Sequence, residues 1–163
     1  MPLIKNGEFA DNDWVLVGDE DALPTDTPAI VSAARWQAER DTLSGRNAPL
    51  GVKLEAGEAP ELIAEDLDRF QLVAVNFPAF KDGRGFSYAS LLRDRYGFEG
   101  EVRAVGEVLR DQWSLMLRCG FDAFDVADGT KIEAFNEAIG ELSHVYQATG
   151  DGKKTVWQLR HGG

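Results

Sequence analysis

The sequence predicts an α/β protein: an open, mainly parallel, three-layer sheet of about five βα units with a β-hairpin at each end. Three observations lead there. Between residues 29 and 143, short apolar runs alternate with segments of helical periodicity. The loops between them are short, and parallel neighbours need right-handed crossovers. Leu72–Phe77 is almost continuously apolar, the composition of a strand covered on both faces. Five units are too few for a closed eight-stranded barrel, and a half-barrel that dimerises is the alternative. All 163 residues form one domain: a hairpin (1–17), a βα core (29–143) and a second hairpin (144–160).

Each element has its own signal. Asn6-Gly7 marks a tight hairpin turn, and Trp14-Val15-Leu16-Val17 adds a strand to it. Residues 19–28 are acidic with two prolines, a surface connection. Ile30-Val31-Ser32 is a short strand. Ala33–Leu43 follows as a helix with Trp36, Arg40 and Leu43 on one stripe, in competition with a longer helix capped by Thr27. Leu50–Leu54 is the next strand, and Pro60 opens a helix that buries Ile63, Leu67 and Phe70. After Leu72–Phe77 comes a helix over Gly85–Tyr96, ended by Gly97. A strand at Glu101–Val105 precedes a helix over Val108–Cys119, with Leu109, Trp113, Met116 and Leu117 inward. Ala123–Val126 is the last core strand, and Thr130 with Glu133 forms a capping box for a final helix. Gly150-Asp151-Gly152 turns the C-terminal hairpin.

The totals exclude several function classes. A net charge of −11 without a basic cluster argues against nucleic acid. The start of the chain has no signal-peptide core, and no apolar run reaches membrane-spanning length. The cytoplasm is therefore expected. One cysteine allows neither a disulfide framework nor a CxxC pair, and neither histidine has a partner at metal-ligand spacing. No metal site is expected.

Ligands of parallel sheets meet the carboxyl ends of the strands, where Glu55, Asn76, Gly106-Glu107 and Asp128 fall. The loop over Lys81–Ser87 is the sharpest feature of that edge. Gly83 and Gly85 let the backbone approach a ligand, Ser87 can cap or bond, and Lys81 and Arg84 supply positive charge. Arg110 can join them around a small anion, with Glu107 or Asp111 as acid or base and Gln112 nearby. In the plainer alternative the glycines serve the turn, Arg84 pairs with Asp82 or Glu107, and the acids favour a helix N-terminus. Cys119, beside Arg118 at a helix C-terminus, reads as a structural thiol. Gly83-Arg84-Gly85-Phe86-Ser87-Tyr88 fails as a dinucleotide motif because Tyr88 stands where a third small residue belongs. No P-loop triplet occurs.

Phe77-Pro78-Ala79-Phe80-Lys81-Asp82-Gly83-Arg84-Gly85-Phe86-Ser87, Val102-Arg103-Ala104-Val105-Gly106, Val108–Gln112 and Arg118–Phe124 together resemble a bacterial family of unknown function. That family is labelled an oxidoreductase of sulfite reduction, and its genes lie beside those of assimilatory sulfite reductase and the sulfonucleotide reductase. The resemblance implies a role in sulfur assimilation, with one of those reductases as partner. It implies no catalytic residue and leaves the cofactor unknown. Three readings stay open: an accessory protein of sulfite reduction, a small enzyme or binding protein for an anionic sulfur or phosphate metabolite held by the Gly83-Arg84-Gly85 loop, and a structural or oligomerisation role through exposed hairpin edges. Whether the chain is an enzyme is open with them.

Overall fold

The computed structural model describes residues 2–78 and 82–137. Its frame is a single eight-stranded sheet formed by β1 (Leu3–Lys5), β2 (Glu8–Ala10), β3 (Val15–Leu16), β4 (Ala29–Ser32), β5 (Leu50–Leu54), β6 (Leu72–Phe77), β7 (Glu101–Gly106) and β8 (Ala123–Asp125). The order across the sheet is β2-β1-β8-β7-β6-β5-β4-β3. From β3 to β8 all neighbours are parallel, while β1 joins β8 and β2 antiparallel. The fold is thus mixed α/β, mostly parallel, with an antiparallel edge.

Strands β3 to β8 follow one another across the sheet without reversing direction. A right-handed crossover repeated in one direction always lands on the same side. The core shows this: Trp36, Leu43, Ile63, Leu67, Tyr88, Leu92, Trp113, Met116 and Phe135 pack in one cluster with Val31, Val52, Val73, Val75, Val102 and Phe124. The opposite strand face carries a separate small cluster of Ile30, Leu72 and Ala74, with Trp14 and Val105 against it and no residue from a helix. Hence the described residues form two layers, where three were expected. The local pattern of β6 misled because its alternate positions, Leu72 and Ala74, are covered by neighbours on the sheet and not by a helix.

The helices are short. Ser32 caps α1 (Ala33–Ala38) by accepting from the Arg35 N–H, and α2 (Arg40–Ser44) continues after a break at Glu39. Trp36 is fully buried and donates from Nε1 to Asp66 at 2.9 Å, so the second α1 turn is fastened to the crossover below it. Two 3-10 turns, Pro60–Leu62 and Ala64–Arg69, replace the expected α-helix between β5 and β6. α3 (Arg84–Ser90) widens into a π-turn over Leu91–Arg95. α4 is confined to Trp113–Cys119, after a 3-10 turn at Arg110–Gln112, and ends at Gly120 with a left-handed φ of 120°. Leu109, expected inward, is half exposed because it precedes the helix. Residues 132–137 are helical, but Thr130 donates its hydroxyl to the Ala127 carbonyl and forms no capping box there.

The turn between β1 and β2 sets Asn6 at φ 61° and Gly7 at φ 78°, as a two-residue hairpin requires. Trp14–Val17 does not extend this hairpin. Val15 and Leu16 pair with β4 at the far edge of the sheet. The C-terminal hairpin expected at 144–160 lies outside the described residues. No helix among the described residues is long and apolar enough to cross a membrane.

Candidate functional site

Strand register lines up the chemistry on the face that no described helix covers. Ser32, Lys53, Ala74, Arg103, Ala123 and Lys5 stand side by side across six strands. Alanines between long cationic side chains leave a hollow above the sheet. The pocket there measures about 280 Å³, at the small end of the range for small-molecule sites. Lys53, Asn76, Arg103 and Asp125 supply its polar wall, while Trp14, Leu16, Ile30 and Val105 supply an apolar one.

The polar groups are held from below. Lys53 Nζ lies 2.9 Å from Glu55 Oε1, and the Asn76 amide donates to Glu55 Oε2 at 2.9 Å. Arg103, only 2% exposed, donates from Nε to Glu101 Oε2 at 2.7 Å and from Nη1 to Asn12 Oδ1 at 3.0 Å. Glu101 also receives Lys5 at 2.7 Å. Asp125 belongs to the same wall. Burial pushes its carboxyl above the usual range, against the opposing pull of Arg103. Its Oδ1 is buried with no hydrogen-bond partner among the described residues.

Gly106 closes the rim. It sits at φ 86°, and a side chain there would meet the Asn76 amide oxygen and the Phe77 carbonyl. That carbonyl accepts from the Glu107 N–H at 2.7 Å, so β7 can turn away only with a glycine at this point.

The loop singled out from the sequence is built differently. Arg84 donates from Nε and Nη2 to the Asp82 carboxylate, with the shortest bond 2.6 Å. These bonds hold the Asp82 carboxyl down to about 2. Gly85 faces the core, where a Cβ would stand 2.7 Å from the Phe77 ring. Gly83 precedes α3 with open space around it, and Lys81 lies outside the described residues. Ser87 borders a shallow groove with Phe86, Ser90, Leu91 and Cys119. Burial raises the Cys119 thiol, partly offset by a hydrogen bond with Ser90.

Arg110 is exposed and reaches Glu137 at 3.4 Å. Glu107 and Asp111 are exposed, and Gln112 is half-buried with an Oε1 that has no partner among the described residues. Of the residues marked in the sequence, Asn76 and Gly106 line the pocket and Glu55 braces it. Lys53, Arg103, Asp125, Asn12 and Trp14 were missed. The signal for two of them was visible, as charged residues alternate with apolar ones in Leu50–Leu54 and Glu101–Val105. No group of three or more His, Cys, Asp or Glu side chains among the described residues could hold a metal ion.

A model of a bacterial protein family of unknown function, DUF934, matches residues 51–157. No curated protein and no solved structure matches the chain.

Proposed function

The chain belongs to this bacterial family of unknown function, and on that premise we propose an accessory protein of assimilatory sulfite reduction that binds a small anionic sulfur-containing metabolite on the uncovered sheet face. One observation carries the ligand site. A pocket with Lys53, Arg103 and Asn76 on one wall and Trp14 and Ile30 on the other opens on a strand face that no described helix covers. Convergent polar groups beside an apolar surface are what small-molecule sites require. Arg84 is the poorer anchor, since it stands outside this pocket at an exposed position, bonded to Asp82. The pathway rests on the resemblance of Phe77–Ser87 and Arg118–Phe124 to proteins encoded beside sulfite reductase, and that enzyme or the sulfonucleotide reductase is the partner in this reading.

Growth tests both halves. A strain lacking the protein should grow poorly on sulfate or sulfite as its only sulfur source and normally on cysteine. The wild-type gene should restore growth, Arg84→Ala should restore it equally, and Lys53→Ala should not. Undiminished growth of the deletion strain on sulfite would remove the pathway. Full restoration by Lys53→Ala would remove the pocket from the function.

A further inference from the structure

A second cavity opens at the amino ends of β5 and β6, where the connection after α2 meets the turn before β6. It measures about 520 Å³, inside the range of small-molecule sites. Ser44, Arg46 and Asn47 come from the α2 side, and Asp68, Arg69 and Gln71 from the turn. The pocket on the strand face lies apart from it and reaches the carboxyl ends at Asn76 and Gly106.

Charge sets this cavity apart. The protein carries a net −11, yet two arginines line the cavity against one carboxylate, Asp68. Lys53 and Arg103 are each matched by a glutamate, whereas neither Arg46 nor Arg69 forms an ion pair among the described residues. Arg46 donates from Nη1 to the Pro24 carbonyl and from Nη2 to the Thr27 carbonyl. Carbonyls fix the guanidinium in place without cancelling its charge. Arg69 is exposed, and its side chain makes no hydrogen bond among the described residues. Gln71 is held through Oε1, which accepts from the Leu50 N–H at 2.9 Å, so its NH2 group is left to donate. Ser44 donates its hydroxyl to the Arg40 carbonyl at 2.6 Å and keeps its lone pairs.

Two uncompensated cations match a dianion. A phosphate monoester is dianionic at neutral pH, its second pKa being about 6, while a sulfate ester carries one charge. Ser44 and Asp68 offer acceptors, which suit hydroxyl groups. Inorganic phosphate alone would leave most of the cavity to water. We propose that this cavity binds a phosphate monoester of a polyhydroxylated compound, of the sugar phosphate class. The phosphate meets Arg69 and the Gln71 amide in the field of Arg46, and hydroxyls of the body reach Ser44 and Asp68. This site does not depend on the strand-face pocket being a ligand site.

Calorimetric titration of the intact chain with glucose 6-phosphate, ribose 5-phosphate, glucose 6-sulfate, inorganic phosphate and glucose tests the proposal. At least one sugar phosphate should bind, roughly tenfold or more tighter than the sulfate and inorganic phosphate, and glucose should give no heat. Arg69→Ala removes an exposed side chain, so it should weaken the sugar phosphate about tenfold with the thermal midpoint unchanged. Lys53→Ala should leave that affinity as it is. A loss in Lys53→Ala would move the ligand to the strand face and overturn the assignment. Equal affinity for glucose 6-sulfate would overturn the dianion, and equal affinity for inorganic phosphate the hydroxylated body. The site itself is overturned if neither sugar phosphate binds, or if Arg69→Ala binds as the wild type does.

Discussion

Two carboxylates show how position decides what a residue does for stability. Asp125 has its pKa raised, first by burial, with Arg103 pulling the other way. A raised value in the fold means that its contribution is intact below the unfolded pKa, about 3.9, and is lost as pH climbs through the folded value. At pH 7 the ionised group is therefore a burden. Asp125→Asn should raise the thermal midpoint at pH 7, and the gain should shrink as pH falls toward 4. An equal or lower midpoint at pH 7 would contradict the burial argument. Asp82 behaves oppositely. The Arg84 hydrogen bonds depress its pKa to about 2. Its contribution is present above the ordinary carboxylate value and fades as pH falls toward 2. Since the Arg84 side chain is more than half exposed, screening keeps the effect of the pair small.

At the level of elements, the strands β4 to β8 and the turn residues Asn6-Gly7 were legible because they depend on local pattern and backbone chemistry. Helix type was less so. The crossover after Pro60 has the apolar spacing of a helix, and Ile63, Leu67 and Phe70 are buried as that spacing implies. The backbone reaches the same burial with 3-10 turns, because a short crossover can present these side chains in either geometry. Gly106 is the sharpest dependence at this scale. Its left-handed φ and the oxygens beside it leave no room for a side chain. Gly106→Ala should destabilise the protein by upwards of about 1 kcal/mol, read from the denaturant midpoint, and should weaken ligand binding by displacing Asn76. A midpoint at the wild-type value would mean that the rim can turn without a glycine.

Over the whole molecule, strand order was the part hidden from the sequence. Alternating βα segments specify parallel pairing, but nothing in Leu50–Leu54 or Glu101–Val105 says whether the sheet winds in one direction or reverses. Winding in one direction leaves Lys53, Arg103 and Asp125 on a face that no helix among the described residues covers. With a reversal the same charged positions would have faced a second helical layer, and they read as ordinary polar interruptions. The Lys81–Ser87 stretch attracted attention because glycine and arginine are conspicuous locally. The pocket residues are dispersed over six strands and the segment before β3, and only the register brings them together.

The attachment of β1 to β8 has a kinetic side. Every pairing from β3 to β8 joins strands adjacent along the chain, whereas Leu3 pairs with Asp125 across almost the full described length. Closing that loop costs the most chain entropy, so the β1–β2 hairpin should dock last in folding and detach first in the native state. Hydrogen exchange should find the Leu3–Lys5 amides opening while those of β6 and β7 stay protected. Detachment takes Lys5 from Glu101 and uncovers Asp125 at the same moment. Occupancy of the pocket should then slow exchange in β1 more than in β6, making the N-terminal strand a reporter of whether the site is filled.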